Sequence, residues 1–373
     1  MASTGNQQTI KKVNKSLLLS LIASRGPLSR VELSRLTRLS PSTVSILVDE
    51  LRAERFVYET GTVSGSGAGR RMTMLNVKPD GGYVLGLDLA KSYAVLLDQS
   101  GETAHARDIP PLLGKQAIAD RLPPIINSIL SDTAITADRV RRIGISVPGR
   151  IDENGTHIVS AMPLQIDNWA LAEWLEPMVG APVRLINDLD AAGFAERSSG
   201  AAQGCRTIVY LLIGSTVGAG LVIDGRIYRG STGRAGRVGD FARFSTLQLS
   251  ARLQREYPHY FPGNLTPRDT LRRFAAIAPD ADVRLRDEME DIIGSISAYC
   301  GSLLQLLDPE RLIIGGWLTE DKALFDRLIA RIGQAEKALA KPCPVSAASW
   351  GDRGSAFGAA TMGLHDVFKP VEL

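Results

Sequence analysis

Short hydroxyl side chains gather at the start of one predicted helix. Ser42, Thr43, Ser45 and Ile46 lie on one side of the first turns that follow Ser40-Pro41, opposite an apolar stripe. Small residues let a helix approach the major groove of DNA closely, where Ser and Thr can contact base edges and phosphates. The same hydroxyls could simply start a helix, so this segment alone leaves both interpretations open.

Two adjacent arginines supply a second group with its own chemistry. Arg70 and Arg71 follow a stretch rich in Gly and Ser that runs from Gly61 to Gly69. Strands predicted at residues 56–58 and 72–75 flank this stretch and make it the loop of a hairpin. Guanidinium groups on a flexible backbone can enter the minor groove of DNA, where the negative potential is strong. An ordinary solvated hairpin is the alternative.

Three predicted helices position these two groups. The first has apolar residues at helical spacing and should stop at Gly26-Pro27. Ser29-Arg30-Val31-Glu32 has the form of a capping box and begins the second, in which Val31, Leu33 and Leu36 supply the apolar positions. Ser40-Pro41 begins the third with a Ser cap and a Pro at the first helical position. Three helices followed by a two-stranded wing predict a winged helix-turn-helix domain, which we place at residues 1–79.

Charge is distributed unevenly along the chain. Residues 1–80 carry 12 Lys or Arg and 6 Asp or Glu, whereas the remainder carries 31 and 34. A basic head on a mildly acidic body indicates that the head meets a polyanion, although chance surface charge would look similar. Candidate phosphate contacts in the head are Arg30, Arg38 and Arg55.

Composition bounds the class of protein. With 44% hydrophobic and 22% charged residues, the chain is typical of soluble globular proteins. No apolar run approaches the roughly 20 residues that cross a bilayer, and we expect neither a signal peptide nor a membrane partner. The three cysteines are scattered, which predicts no disulfide framework and a reducing, cytoplasmic location.

Beyond the head, short β runs replace the helical spacing. From Tyr83 onward, two successive blocks follow the order β-β-β-α-β-α. Repetition of this order predicts two similar lobes, at residues 80–200 and 201–373, with a cleft between them. The last helix, from Ser355, is expected to pack back on the first lobe.

Motifs in both parts resemble the ROK family (repressors, open reading frames and sugar kinases), in its transcriptional-regulator branch. The matching stretches are 29–33, 39–45 and 69–71 in the head, and 143–149, 187–188, 217–220, 224–225, 228–230 and 307–316 in the body. Each is weak alone, but their order and spacing are specific. The resemblance implies an α/β chain in which a winged helix-turn-helix precedes an actin-like (ribonuclease H-like, sugar-kinase-type) two-lobed ATPase fold. It also implies a homo-oligomer, either a dimer or a tetramer.

The sequence departs from the kinases of this family at two places. Their first phosphate loop reads Asp-x-Gly-Gly-Thr, whereas this chain has Asp88-Leu89-Ala90-Lys91-Ser92, and backbone amides close on a phosphate only where no side chain intrudes. The second loop keeps Gly214 and Gly218. Residues 240–265 contain no Cys and one His, His259, whereas a structural zinc site needs four ligands. We therefore expect no kinase activity, no zinc and no cofactor.

The sugar pocket that the resemblance implies is partly rewritten. Asn187 and Asp188, the pair that holds sugar hydroxyls in the family, are intact, whereas the family's Gly-Glu-x-Gly-His segment reads Gly236-Arg237-Val238-Gly239-Asp240. In one interpretation Arg237, with Arg234, binds a sugar phosphate or sugar acid. In the other, Arg237 pairs with Asp188 or Asp240 and fills a pocket that no longer binds sugar. The same region of sequence holds three further polar or aromatic residues without an assigned position: Trp169, Arg184 and Asp190.

These observations predict a DNA-binding transcriptional regulator of carbohydrate-related genes, most simply a repressor. Its oligomer would bind a near-palindromic operator in double-stranded DNA, and its cleft would hold a sugar or sugar-phosphate effector. Two alternatives stay open at this point. One is an ATP-dependent sugar kinase with a fused DNA-binding head, and the other is a DNA-binding scaffold that responds to no ligand.

Overall fold

The computed structural model describes residues 2–64, 71–215, 217–237, 243–335 and 342–371. Four sheets organise these residues: one in the head, one in each lobe of the body, and one small sheet beside the cleft. No helix within the described ranges combines the length and the apolar character that crossing a membrane requires.

The head is a winged helix-turn-helix, as predicted. Its elements in chain order are α1 (Ala2–Arg25), β1 (Leu28–Ser29), α2 (Arg30–Thr37), α3 (Pro41–Ala53), β2 (Val57–Ser64) and β3 (Arg71–Val77). The strands form an antiparallel sheet in the order β1-β3-β2, and the helices close over it. Both predicted helix starts are confirmed, since Ser29 and Glu32 complete a capping box and the Ser40 hydroxyl accepts from the Thr43 amide.

The second helix differs from the sequence prediction in its apolar face. Leu33 is buried in the head core, but Val31 and Leu36 are 66% and 41% exposed. The helix has only eight residues, and a two-turn helix wedged between α1 and α3 has room to bury one apolar position fully. Val31 and Leu36 therefore belong to the surface of the head.

The first lobe is built on a five-stranded mixed sheet. Its elements are β4 (Tyr83–Asp88), β5 (Tyr93–Asp98), β6 (Thr103–Asp108), α4 (Lys115–Asp132), β7 (Val140–Val147), β8 (Arg150–Ile151), β9 (Ile158–Ala161), β10 (Ile166–Trp169), α5 (Leu171–Val179), β11 (Val183–Asn187) and α6 (Asp188–Ser199). The main sheet has the order β11-β7-β4-β5-β6. The small sheet, β10-β9-β8, was not predicted, because β8 has two residues and β9 and β10 have four each, too short to show an alternating pattern.

The second lobe repeats this arrangement. Its elements are β12 (Ile208–Ile213), β13 (Val217–Ile223), β14 (Arg226–Ile227), α7 (Thr246–Glu256), α8 (Pro267–Ile277), α9 (Val283–Leu307), β15 (Arg311–Gly316), α10 (Lys322–Ala335), β16 (Val345–Ala347) and α11 (Gly354–Phe368). Its sheet order is β14-β13-β12-β15-β16. In each lobe the first strand is therefore central in the sheet. On one side of it each strand pairs antiparallel with its neighbour, and on the other side each strand pairs parallel with its neighbour. The predicted duplication is confirmed, and α8 is an additional helix that was not predicted.

The last helix, α11, lies on the sheet of the first lobe. Two glycines make this close approach possible, because a Cβ on Gly86 would lie 2.2 Å from the Ala356 carbonyl oxygen and one on Gly144 would lie 2.1 Å from that of Ala359. Gly358 of α11 in turn lies against α6, where a Cβ would be 1.8 Å from the Ala191 carbonyl oxygen. The two helices are therefore packed backbone to backbone, in a contact that admits no larger side chain.

The head is fastened to the first lobe by side chains from the body. Gln99, which is buried, donates from Nε2 to the carbonyl oxygens of Arg55 and Lys78 at 3.0 and 2.8 Å. The Arg141 guanidinium lies 4.3 Å from the centre of the Phe56 ring. Arg55 precedes the first strand of the wing and Lys78 follows the second, so these contacts hold the base of the wing against the body.

Candidate functional site

The first turns of α3 present a cluster of hydroxyl groups. The Ser40 Oγ lies 2.9 Å from the Ser42 Oγ and 2.8 Å from the Thr43 Oγ1. Ser42 is exposed, and Ile46, one helical turn later on the same face, is 59% exposed. Thr43 and Ser45 are half-buried. The four residues predicted to face DNA therefore form one accessible surface at the start of α3.

The arginines of the head differ in their availability. Arg30 is paired with two carboxylates, those of Asp49 at 3.0 Å and Glu59 at 3.2 Å. Arg52 approaches the same two carboxylates at 3.6 and 3.3 Å. The sequence predicted a phosphate contact for Arg30, but a phosphate would have to displace two carboxylates from its guanidinium.

Two other predicted cations are exposed. Arg38 occupies the turn between α2 and α3 in the left-handed region, with φ of 59°. Arg71 is the first residue of β3, at the end of the wing. Arg70 lies outside the described residues. Arg55, also predicted as a phosphate contact, lies 3.2 Å from the Asp80 carboxylate.

A cavity of about 380 Å³ lies between the two lobes, and we call it the interlobe cavity. Its lining includes the loop after β7, the connection from β9 to β10, the start of α6 and the start of β13. Polar side chains on this lining are Ser160, Asn187, Asp188, Asp190, Arg229 and Arg237. The strand ends and helix starts of both lobes thus bring to one place residues separated by up to 77 positions in sequence.

Asn187 caps the helix that borders the cavity. Its Oδ1 accepts from the amides of Leu189 and Asp190 at 3.0 and 3.3 Å, and its Nδ2 donates to the Gly149 carbonyl oxygen at 2.9 Å. An amide nitrogen carries two hydrogens, so one donor of Asn187 is left for a further contact. The side chain therefore fixes the wall of the cavity as well as lining it.

Asp188 is the first residue of α6 and lies on the cavity wall. Burial raises the pKa of its carboxyl to about 7, the nearby Asp88 carboxylate adds to the rise, and the amide of Leu189 opposes it. A carboxyl with this pKa can accept or donate a hydrogen bond near neutral pH, depending on its protonation.

A buried ion pair lies beside Asp188. The Arg229 Nε is 3.1 Å from the Asp190 Oδ2, and Asp190 is buried. Burial raises the pKa of Asp190 to about 6, while Arg229 lowers it. Sequence reasoning assigned no role to Arg229 and no position to Asp190. The sequence signal that could have identified Arg229 is its position directly after the β13–β14 hairpin, in the Tyr228-Arg229-Gly230 motif.

Arg237 lies on the opposite wall of the cavity. Its segment is held by main-chain contacts, since the Gly236 carbonyl oxygen accepts from the Ala219 amide at 2.8 Å and Arg237 bridges to Gly218. Within the described part of the chain, Arg237 forms no ion pair with Asp188. Asp240, the other partner considered for it, lies outside the described residues.

Two residues that the sequence left unplaced lie elsewhere. Arg184 pairs with Asp366 of α11 at 2.5 Å. Trp169 is buried in the core of the first lobe. Neither is among the described residues that line the interlobe cavity.

The turn between β4 and β5 occupies the position of the altered phosphate loop. The Asp88 Oδ1 accepts from the amides of Ala90 and Lys91 at 2.8 and 2.9 Å. Ser92 adopts the left-handed region at φ of 54°. The Asp88 carboxylate therefore takes up the two inward-facing amides of the turn, which would otherwise be available to a phosphate.

An ion-pair chain joins this turn to the second lobe. The Lys91 Nζ lies 3.1 Å from the Asp352 Oδ1. The other oxygen of the Asp352 carboxylate, Oδ2, is 3.4 Å from the guanidinium of Arg268 in α8. Arg268 and Arg272 both bind the Glu320 carboxylate at 2.8 Å. No group of three or more His, Cys, Asp or Glu arranged to hold a metal ion occurs within the described residues.

Similar proteins agree with this architecture. The family model described as "ROK family" matches residues 85–243. A putative xylose repressor from Caldicellulosiruptor sp. (strain Rt8B.4) is 34% identical over 239 residues, which are 63% of this chain and 60% of that protein. The DNA-binding transcriptional repressor Mlc of Escherichia coli (strain K12) is 26% identical over 400 residues, covering 95% of this chain and 94% of that protein.

A solved structure has the same arrangement of head and lobes. The crystal structure of a ROK family transcriptional regulator, described as a homolog of the E. coli MLC protein, has a TM-score of 0.77 and 24% identity. It covers 96% of this chain, and this chain covers 98% of it. This chain spans about three fifths of the length of the xylose repressor that it matches. The family model matches the first lobe and the start of the second, and the fold agrees with that of a ROK family regulator over nearly the whole length, so this chain is similar to ROK family proteins.

Proposed function

We propose that this chain is a sequence-specific DNA-binding transcriptional regulator that represses carbohydrate-related genes. The observation that carries the proposal is the accessible surface at the start of α3, where Ser42, Thr43, Ser45 and Ile46 lie together. Hydroxyls and one exposed apolar side chain on a helix start match what a recognition helix offers to base edges. The names of the relatives, which are repressors, support the same function.

The remaining contacts of the head would go to the DNA backbone and the minor groove. Arg38 is an exposed cation beside α3 and is assigned to phosphate, while Arg70 and Arg71 at the wing are assigned to the minor groove. Arg30 contributes less, because Asp49 and Glu59 already neutralise it. A dimer or tetramer of the chain would bind a near-palindromic operator in double-stranded DNA.

The test begins with a random-sequence duplex pool, from which the full chain selects an enriched duplex. Replacing Arg70 and Arg71 together by Ala should then weaken binding to that duplex by roughly tenfold and flatten the dependence on salt. Lys322, which is exposed on α10, gives the matched control Lys322→Ala, and its binding should stay unchanged. Failure to enrich any duplex would overturn the function, and unchanged binding in the double variant would remove the wing from it.

The effector would bind in the interlobe cavity. Its walls offer Asp188 and the free donor of Asn187 to hydroxyl groups, and they offer Arg237 to an acidic group. A carbohydrate that carries a phosphate or carboxylate uses all three. A neutral sugar uses only the first two, and both ligand classes belong in the same screen.

A thermal-shift screen of neutral sugars, sugar phosphates and sugar acids tests the effector. A ligand that binds the folded state raises the unfolding midpoint. An anionic ligand whose effect is lost in Arg237→Gln, but kept in the control Arg226→Gln on β14, supports the acidic class. A neutral ligand that acts equally on Arg237→Gln would overturn the role of Arg237. No shift with any member would favour a scaffold without an effector.

Kinase activity is not part of the proposal. The Ala90 and Lys91 amides of the β4–β5 turn are bonded to Asp88 and the Lys91 ammonium is paired with Asp352, so these three groups of the turn already have partners in the chain. Release of ADP from ATP that depends on an added sugar would contradict this view.

A further inference from the structure

A second cavity lies where the head meets the body. It also has a volume of about 380 Å³, and it is bounded by α1 of the head and by α6 and α11 of the body. We call it the head groove. Ser20 and Ser24 line it from α1, Phe194 and Arg197 from α6, and His365 from α11. Pockets at the boundary of two folded units are common positions for small ligands.

One part of the head groove is apolar and rigid. Phe194 and the exposed His365 meet edge to face, with ring centres 5.9 Å apart at 78°. Leu364 and Phe368 of α11 extend the same surface, and Phe368 also packs on the core of the head. An aromatic ring or a short alkyl chain fits such a wall.

The rest of the head groove is positively charged. Lys369 and Arg197 line it, and neither forms an ion pair with a carboxylate among the described residues. The Arg197 Nε donates to the Cys205 carbonyl oxygen at 3.2 Å, and its guanidinium lies 6.0 Å from the centre of the Phe194 ring. Asp366, at the same end of α11, has a side chain that is 11% exposed, and it is already bound to Arg184.

The protonation of His365 reflects the same excess of cations. Burial lowers the pKa of its imidazole, and Lys369, Arg197 and Arg184 lower it further, against the opposing effect of Asp366. A neutral imidazole can donate one hydrogen bond to an anion beside the two fixed cations.

We propose that the head groove binds a small amphipathic carboxylate, with its apolar part against Phe194, Leu364 and Phe368 and its charge beside Arg197, His365 and Lys369. A guanidinium, an ammonium and an imidazole N–H give three donors for two carboxylate oxygens. A ligand of about ten heavy atoms suits a pocket of this size, which is at the small end of ligand sites.

The position of the head groove couples it to both functional surfaces. The helix α6 begins at the interlobe cavity with Asp188 and Asp190 and reaches the head groove with Phe194 and Arg197. Its 12 residues span about 18 Å as a single rigid element. A ligand that touches α1, α6 and α11 together stabilises the state in which the head is docked on the body. It therefore shifts the population of head orientations by its differential affinity for that state.

The test of binding uses the full chain and two probes of equal shape, 3-phenylpropionate and 3-phenylpropionamide. At millimolar concentration the carboxylate should raise the unfolding midpoint by at least 2 °C, while the uncharged amide should not. Lys369→Gln should weaken binding of the carboxylate about tenfold in calorimetry. The control Lys322→Gln removes an exposed ammonium from α10 and should leave the affinity unchanged.

Three results would overturn the proposal: equal responses to the carboxylate and the amide, unchanged affinity in Lys369→Gln, or no response to the carboxylate. If Lys369→Gln lowers the midpoint without ligand, Ser24→Trp fills the groove from the side of α1 and should abolish the response without removing a charge.

The effect on DNA rests on the proposed function, whereas the binding of the carboxylate does not. In wild type, 3-phenylpropionate should change the affinity for the enriched duplex at least threefold, and in Lys369→Gln it should not. Binding without any change in DNA affinity would overturn the coupling alone. Failure to enrich a duplex would overturn the proposed function and leave the carboxylate site standing.

Discussion

The interlobe cavity and the β4–β5 turn both offer polar groups at the ends of strands, but they differ in whether those groups already have partners. In the turn, Asp88 takes the amides of Ala90 and Lys91, and Asp352 takes the Lys91 ammonium. In the cavity, Asp188 and Arg237 have no ion pair among the described residues. A ligand must break existing bonds at the turn but only displace water in the cavity. Whether a polar group already has a partner in the chain therefore helps to distinguish a binding site from a closed turn.

The strongest test of this contrast removes the ion pair between Arg229 and Asp190, both of which line the cavity. In Arg229→Met, the buried Asp190 loses its partner, and we expect the free energy of unfolding at pH 8 to fall by about 3 kcal/mol. The loss should shrink at pH 5, because Asp190, with its pKa raised to about 6, is then protonated and carries no charge. Urea unfolding at the two pH values measures both losses.

A matched control and a second-site variant sharpen this result. Arg226→Met removes an exposed guanidinium from the neighbouring strand β14 and should change the free energy of unfolding little at either pH. Adding Asp190→Asn to Arg229→Met should restore most of the stability at pH 8. A loss of the same size at pH 5 and pH 8 would mean that Arg229 stabilises the protein through packing. The charge interaction with Asp190 would then not be what stabilises this wall of the cavity.

A second variant tests whether the ionised carboxyl of Asp188 lowers the free energy of unfolding. Its pKa of about 7 in the folded state lies above the ordinary value of 3.8, so the folded state binds the proton more tightly between these values. Its contribution to stability is present at low pH and is lost as the pH rises through 7. Asp188→Asn should therefore stabilise the protein at pH 8 by about 1–2 kcal/mol.

Thermal midpoints at pH 8 and pH 5 measure this difference. The gain of Asp188→Asn over wild type should narrow at pH 5, where the wild-type carboxyl is also uncharged. A gain that is independent of pH would show that Asp188 is ionised in the folded protein at both values, and the cavity would then carry one more negative charge than we assign to it.

The ion-pair chain at the turn should matter much less for stability. Asp352→Asn separates Lys91 from Arg268, but all three side chains are substantially exposed, so we expect a loss of only about 0.5 kcal/mol. Asp326→Asn, which breaks the exposed pair with Lys322 on α10, is the comparison of the same chemistry. A loss several times larger for Asp352→Asn would mean that the chain clamps the lobes together.

The smallest effect on the unfolding midpoint is expected from added ATP, the nucleotide that a kinase would bind. Millimolar Mg-ATP should move the unfolding midpoint of the wild type by less than about 1 °C, since a ligand near its dissociation constant stabilises by well under 1 kcal/mol. Asp352→Asn leaves Lys91 without this partner and serves as the more permissive background. A clear shift of the midpoint in wild type would show that the turn binds a phosphate despite its existing partners, and the difference drawn between the turn and the cavity would be wrong.

Local signals were readable from the sequence. The capping box of Ser29 and Glu32 and the cap at Ser40 use side chains and amides within three residues of each other, so their pattern alone predicted both helix starts. Repetition of the strand and helix order likewise predicted the two lobes. The resemblance to the ROK family implied that Asn187 and Asp188 belong to the pocket, and both residues line the interlobe cavity.

Long-range pairs were not readable. Arg229 meets Asp190 across 39 positions, and Arg30 meets Glu59 across 29. Neither spacing has a local pattern, since both depend on how a hairpin folds over a helix. A single sequence shows which residues carry charge but not which charges cancel. This is why Arg30 was predicted as a phosphate contact while Arg229 received no role.

The hydrogen bond from the Val371 amide to the Ser16 hydroxyl, at 2.9 Å, joins the segment after α11 to the helix α1 of the head across 355 positions. The head is therefore not a detachable unit, because residues that follow α11 help to support it. A chimera cut near residue 79 would carry the base of the wing but leave this support behind. A test of the proposed DNA contacts by exchange between relatives should accordingly replace only the surface of α3 and the wing, with the hydrogen bond between Val371 and Ser16 left intact.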